Sequence, residues 1–233
     1  MHVGPKSGQL RTLAILQAEM SRAAELKKQI CEVGRTLYSR GLIGGCEGNI
    51  SCRLEPGQLL CTPSGLCKGE MTPDQIVTID LEGRLLEGKG RPSSEIRIHL
   101  LSYRERPDCE AVVHAHPPTA TGLTLAGKSI PDDVMPEAGF ILGPVALCAF
   151  GMPGTDELPA TILPFIHNHK TFLLSHHGAL ALGSSLTDAC HRMESLEQVA
   201  KALLTAHLFG GAKSLPESAL EVMKEKALHG RLT

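Results

Sequence analysis

Ala111-Val112-Val113-His114-Ala115-His116-Pro117 is the stretch on which the reading of this chain turns. It is apolar and β-branched up to the first histidine, and proline cannot donate to a ladder, so the run predicts a strand that ends at Pro117. Residues two apart on an extended backbone share a face. His114 and His116 therefore project side by side, held more rigidly than a loop would hold them. Imidazole is the commonest protein ligand for a divalent metal. At this point the pair is either two metal ligands or two hydrogen-bonded histidines.

Outward from that strand the chain divides into helical and extended signals. Before it, Leu10 to Arg40 carries apolar residues at steps of three and four (Leu13, Leu16, Met20, Ala23, Leu26, Ile30, Val33, Leu37) until Gly41 stops them, which predicts a long helix. Ile50–Leu54, Leu59–Thr62 and Ile76–Asp80 are short runs separated by glycine-bearing turns, the pattern of a meander. Ser93 to Arg106 predicts a helix that Ser93 or Ser94 caps and Pro107 follows. After the histidine strand comes a loop-rich region with Ile141-Leu142 and Val145–Cys148 as expected strands, then a helix within Leu158–His167 restricted by Pro159 and Pro164. Lys170–Ser175 and Ala179–Leu182 read as strands joined through His176-His177-Gly178. Ser185-Leu186-Thr187-Asp188 approximates a capping box and opens a long helix closed by Gly210-Gly211. One short amphipathic helix follows. Strands joined by short turns, without regular helical crossovers, argue for a mainly antiparallel sheet covered by helices. No repeat or low-complexity linker divides residues 1–233, so one domain is expected.

Composition narrows the function classes. The chain has 233 residues, 42% of them hydrophobic, enough for a core without staples. A net charge of −2 and a pI near 6.6 give no general attraction to nucleic acid. No apolar stretch of about 18 residues predicts a membrane span. The N-terminus lacks the apolar block of a signal peptide. The eight cysteines include no CxxC pair, and Cys46/Cys52 and Cys61/Cys67 match no common zinc spacing. They are expected to be reduced and mostly buried, and the protein cytoplasmic.

A catalytic zinc needs about three protein ligands and an open position. His177 is the best third candidate, since it sits where a buried strand meets a glycine; the alternative is a hydrogen-bonded turn histidine. His176 would point the other way on an extended backbone. His99, His191 and His207 fall on predicted helices as packed or exposed residues, and His167 and His169 in a solvated turn. Glu95 opens a helix, where the N-terminus favours the ionised carboxylate; it is either a metal neighbour or an ordinary first-turn glutamate. Gly48-Asn49-Ile50-Ser51, Thr62-Pro63-Ser64-Gly65 and Ser93-Ser94 are small-polar loops. If they meet in space, their hydroxyls and N–H groups suit a phosphate without any lysine.

Gly48-Asn49-Ile50-Ser51, Thr62-Pro63-Ser64-Gly65, Pro92-Ser93-Ser94-Glu95, Val113-His114-Ala115-His116-Pro117 and His176-His177-Gly178 occur in the order seen in the class II aldolase/adducin family. The resemblance runs from about Gln29 to Phe209. It implies an α/β fold, an αβα sandwich around a central, mainly antiparallel sheet, and a homotetramer with sites between subunits. It implies one Zn2+ per chain on His114, His116 and His177. Glu95 would be the catalytic acid/base and, in the resting enzyme, a further metal ligand. Gly48, Asn49, Ser64, Gly65, Ser93 and Ser94 would bind the substrate phosphate. The implied activity is aldol cleavage of a ketose 1-phosphate to dihydroxyacetone phosphate and an aldehyde through a metal-stabilised enediolate. The chain departs from the L-fuculose-1-phosphate aldolase pattern: Met135 stands where that pattern has tyrosine, and with only Tyr38 and Tyr103 the tail has none. Aldehyde recognition must therefore differ. The rival readings are a decarboxylase or dehydratase on the same scaffold, a non-enzymic adducin-like interaction module, and a zinc hydrolase of unrelated fold.

Overall fold

The computed structural model describes residues 7–228. Eight strands form one sheet in the order β4-β3-β2-β1-β5-β8-β7-β6. They are β1 (Asn49–Glu55), β2 (Gln58–Cys61), β3 (Val77–Asp80), β4 (Leu85–Glu87), β5 (Ala111–Ala115), β6 (Val145–Cys148), β7 (Thr171–Leu174) and β8 (Gly178–Gly183). Only β6 and β7 pair in parallel. The remaining pairs are antiparallel, as the short connections require.

Helices cover both faces, and strand parity decides what each face meets. On β8, Ala179 and Ala181 enter one core while Leu180 and Leu182 enter the other. The first core takes α1 (Ser7–Ser39), α3 (Pro118–Leu125) and α5 (Leu186–Leu208). The second takes α2 (Ile96–Glu105) and α4 (Glu157–Ile162). On β5, Ala111, Val113 and Ala115 belong to the first core and Val112 to the second, so His114 faces α2. Ile50, Cys52 and Leu54 of β1 likewise leave Asn49 and Ser51 on the α2 side. Asn49 and His114 are direct cross-strand partners.

The helix expected over Leu10–Arg40 is α1. Its stripe from Ala23 to Leu37 packs on the first core, whereas Met20 is 73% exposed; the side chains of Leu13 and Leu16 lie outside the described residues. A Cβ on Gly34 would stand 2.3 Å from the Lys68 carbonyl, so only glycine admits this approach. Helix α2 starts at Ile96 rather than Ser93, with Glu95 at its N-cap. Helix α4 ends at Ile162, short of the expected His167. At α5 the Ser185 hydroxyl accepts from Asp188 N at 3.1 Å, and Asp188 reaches Ser184 N at 2.9 Å. The aspartate closes its half of the box one residue early. Helix α6 (Glu217–Leu228) packs on a π-helical turn, Ala138–Leu142.

Two segments depart from the sequence reading. Ile141-Leu142 is not a strand but the end of that π-helical turn. A two-residue apolar run carries no period, and here Gly143, at φ +63°, reverses the chain before β6. The region after Pro117 opens with α3. Pro118 occupies its first turn, and Glu197 of α5 caps it by accepting from Thr119 N, Thr119 Oγ1 and Ala120 N at 2.7–3.2 Å. That cap comes from a residue about 80 positions away, so no local signal announces it.

Candidate active site

His114, His116 and His177 form a rosette. Their ring centroids lie 4.8–4.9 Å apart and their planes meet at 64–67°. His114 and His116 reach it from the end of β5. His177 reaches it because the β7–β8 turn is tight: His176 adopts φ +58°, and a Cβ on Gly178 would stand 2.5 Å from the Ala115 carbonyl. His176 is exposed and turns toward Phe150, 6.3 Å between centroids. It does point away, but through a left-handed turn rather than strand alternation.

Glu95 completes the cluster. Its side chain makes no cap hydrogen bond. Oε2 lies 3.2 Å from His114 Nε2, and Oε1 lies 2.9 Å from His177 Nε2 without hydrogen-bond geometry. One ligand atom from each of Glu95, His114, His116 and His177 falls within 4.8 Å of the others, an arrangement that could hold a metal ion. Ligand atoms around a tetrahedral zinc stand about 3.3 Å apart, and His116 Nε2 lies 3.1 Å from His114 Nε2. His114 Nδ1–H donates to Ala179 O at 2.8 Å, which turns Nε2 toward the cluster, the nitrogen that would carry a lone pair for a metal in the neutral ring. Burial drives the Glu95 pKa upward, but His114 and His177 outweigh it and hold the carboxyl far below its usual range. Burial, then the charges of His114 and His177, push His116 down to about 4. The residues present thus fit a divalent ion.

The three small-polar loops meet beside the cluster. Asn49 Nδ2 donates to Ser93 Oγ at 3.1 Å and to Glu95 Oε2 at 3.2 Å. Ser64 N donates to Arg91 O at 2.8 Å, and Pro63 bridges Pro92. Cys46 Sγ lies 3.4 Å from Gly65 O. Gly48 and Gly65 have φ of +68° and +78°, and a Cβ on Gly48 would stand 2.8 Å from His114 O. One lysine that the sequence reading did not single out is buried near these loops. Lys68 is 2% exposed, and its ammonium ties two loops by donating to Cys46 O at 2.7 Å and Leu66 O at 2.9 Å. No described carboxylate lies within ion-pair distance of it, and burial lowers its pKa.

Sequence reasoning placed His99 on a helix as packed or exposed and Ser51 in a small-polar loop, but missed that they join Tyr103 to back Asn49 from the core. The signal was the four-residue spacing of Glu95, His99 and Tyr103 on one helix face. Six of the eight cysteines are buried and none is bonded; Cys46 is exposed and Cys67 half-buried. Burial pushes the Cys52, Cys61 and Cys109 thiols up to about 12, which makes them inert. His169 is not simply solvated, since its Nδ1 meets Phe165 O at 3.0 Å. No helix among the described residues is long and apolar enough to cross a membrane.

Known proteins share this frame. A family model described as class II aldolase and adducin N-terminal domain matches residues 28–204. A 3-oxo-tetronate 4-phosphate decarboxylase of Pectobacterium atrosepticum is 32% identical over 80% of this chain and 87% of its own. A 5-methylthioribulose-1-phosphate/5-deoxyribulose-1-phosphate aldolase of Rhodospirillum rubrum is 35% identical over 86% of this chain and 90% of its own. A solved L-fuculose 1-phosphate aldolase superposes with a TM-score of 0.80 at 31% identity, over 87% of this chain and 95% of the other. With the sheet order, the histidine rosette and the loops in place, the match spans the whole site, and the chain belongs to the class II aldolase and adducin family.

Proposed function

We propose that this chain is a metal-dependent carbon–carbon lyase that splits a ketose 1-phosphate into dihydroxyacetone phosphate and an aldehyde. The observation that carries this reading is the convergence of Glu95, His114, His116 and His177 within 4.8 Å, directly beside three small-polar loops. His114, His116 and His177 hold one zinc ion, with Glu95 as a further ligand in the resting enzyme; imidazole and carboxylate donors suit zinc. A bound zinc ion supplies Lewis-acid polarisation of the substrate carbonyl.

The chain's own groups do the rest. Gly48, Asn49, Ser64, Gly65, Ser93 and Ser94 line the phosphate subsite, with Lys68 as the buried positive charge behind it. Ser93 Oγ already accepts from Asn49 Nδ2 and from Glu95 N at 3.3 Å. Its own proton is therefore free for a phosphate oxygen. Cleavage sends the bonding electrons to the carbon beside the carbonyl, and the hydroxyl on the departing carbon gives up its proton. Glu95, held ionised, takes that proton and returns it to the electron-rich carbon. The exposed apolar residues Leu204, Leu208 and Phe209 support self-association, and the number of four rests on the family resemblance.

A second reading is favoured by the name of the Pectobacterium relative. In a decarboxylase the same electrons are released by loss of carbon dioxide, and Glu95 relays to the electron-rich carbon a proton taken from water. Zinc-loaded protein offered a panel of ketose 1-phosphates and a 3-oxo-tetronate 4-phosphate separates the two. Release of dihydroxyacetone phosphate is the expected result, with phosphorylated substrates far ahead of free sugars. Carbon dioxide release would move the assignment to the decarboxylase, and silence on every substrate would overturn both.

A further inference from the structure

Behind Glu95, Asn49 leads into a file of buried polar groups, His99, Ser51 and Tyr103, that the proposed chemistry leaves unused. Asn49 donates from Nδ2 to Glu95 and Ser93. Its Oδ1 meets His99 Nε2 in a short contact. His99 Nδ1 lies 2.6 Å from Ser51 Oγ, which lies 2.8 Å from Tyr103 Oη. His99 and Ser51 are 0% exposed, Tyr103 2% and Asn49 3%. The file is the seam between one face of α2 and one face of β1.

One constraint fixes every hydrogen in it. A carboxylate only accepts, so Asn49 must turn its NH2 toward Glu95 and its Oδ1 toward His99. His99 Nε2 must then carry the proton. A neutral ring protonated there has a bare Nδ1, so the Ser51 hydroxyl must donate to it, and the Ser51 oxygen is left to accept from Tyr103. Reversing any member sets two donors or two acceptors face to face, in a place water does not reach. Burial pushes the His99 pKa down to about 3, in keeping with a neutral ring at ordinary pH.

We infer that His99 is a positioning residue: backed by Ser51 and Tyr103, it locks the Asn49 carboxamide so that one amide nitrogen holds both the Glu95 carboxylate and the Ser93 hydroxyl. Ser93, as an acceptor twice over, is thereby aimed as a donor. The file thus couples the proton-transfer group to the phosphate loop, a role that rests on the function proposed above.

Two measurements test it, one of them independent of any substrate. Nitrogen-15 NMR of histidine-labelled, zinc-loaded protein is expected to show His99 neutral, protonated on Nε2, and unchanged from pH 8 to pH 5. A proton on Nδ1, or a charged ring at pH 7, overturns the proposal whatever the substrate is. His99→Gln places an amide donor where Nε2–H stood, while His99→Leu does not. With a turned-over phosphorylated substrate, His99→Leu is expected to lower kcat/KM by about 10- to 100-fold, the usual scale for a partner one step behind a ligand. The loss is expected to appear in both kcat and KM, with His99→Gln recovering most of it. Equal losses in both variants, or none in His99→Leu, overturn the proposal. If His99→Leu does not fold, Tyr103→Phe, which removes only the terminal donor, is expected to lower kcat by a few-fold with its melting temperature near wild type; unchanged kinetics there overturn it. Failure of every candidate substrate would sink the proposed function alone, since the tautomer still decides the positioning.

Discussion

Removing the proposed metal should cost this protein stability in an amount that the ratio of free ion to Kd sets. Without an ion, the carboxylate of Glu95, 13% exposed, faces three imidazoles. If they are neutral, only the Asn49 amide donates to the buried carboxylate, and the site must take up a proton or tolerate the charge. A cation that binds only the folded state stabilises by RT ln(1 + [L]/Kd), about 2.7 kcal/mol at a hundredfold excess over Kd. For a chain of 233 residues, each kcal/mol is worth about 2–4 °C in melting temperature. Zinc added to chelator-stripped protein should therefore raise Tm by about 5–11 °C. His177→Ala deletes one converging ligand and reduces affinity by at least ~100-fold, more than an outer-shell loss. At the same zinc concentration the gain shrinks to RT ln 2, about 0.4 kcal/mol and about 1 °C. His176→Ala is the control: His176 is exposed and outside the cluster, so this variant should keep the full zinc-dependent rise even if its left-handed backbone lowers the baseline. Scanning calorimetry with and without zinc, alongside metal analysis, reads all three. A wild-type Tm that ignores zinc, or a His177→Ala rise equal to wild type, would refute the metal-centre reasoning.

Glu95→Gln should lower turnover by at least ~100-fold, the usual scale for acid–base catalysis, while metal analysis still finds one ion held by the three histidines; near-wild-type turnover removes Glu95 from the mechanism. Glu197→Ala strips α3 of the carboxylate that caps Thr119 and Ala120 and should cost about 2–4 kcal/mol in urea unfolding; a loss below about 0.5 kcal/mol means the cap is dispensable. His99 has its folded pKa depressed to about 3 from 6.5. Between those values the unfolded chain binds a proton that the folded chain does not, so stability falls as pH drops from 6.5 toward 3, by about 1.4 kcal/mol per pH unit. His99→Gln should flatten that part of the stability-against-pH curve, and an unchanged slope contradicts the assignment. Lys68→Met should raise KM for a phosphorylated substrate more than for its unphosphorylated analogue; an equal rise for both makes Lys68 a loop tie only.

Legibility from sequence followed the range of the interaction. The β5 strand, the meander and α5 were readable because β-branched apolar runs, glycine-bearing turns and capping residues are local signals, each complete within about ten positions. The cluster was readable because its residue types are rare and its spacing on β5 fixes a shared face. What stayed hidden depended on distant partners. The start of α3 is stabilised by Glu197, the tight His176 turn by the approach of Gly178 to Ala115, and Lys68 is buried only because it links two loops. Ile141-Leu142 offered apolarity without a period, and an apolar pair serves a π-helical turn as well as a strand. His99 resembled one more helix residue until Asn49 and Ser51 stood opposite it.

The register that buries the core is the same register that assembles the site. Ile50, Cys52 and Leu54 on β1, and Ala111, Val113 and Ala115 on β5, must face α1 and α5 to be covered. That requirement leaves Asn49, Ser51 and His114 on the opposite face, with Asn49 directly across from His114. A slip of one residue on either strand would send a histidine or an asparagine into the first core and set valine or isoleucine against the polar cluster. The hydrophobic pattern therefore forbids the slip energetically, and the chemistry inherits its placement. Glu95 joins from a separate element, and its side chain is free to do so because α2 does not use it as a cap. Glu95, the proposed proton-transfer group, is thus the one member of the cluster that comes from neither the end of β5 nor the β7–β8 turn. It is also the member that Asn49, and through it His99, must hold.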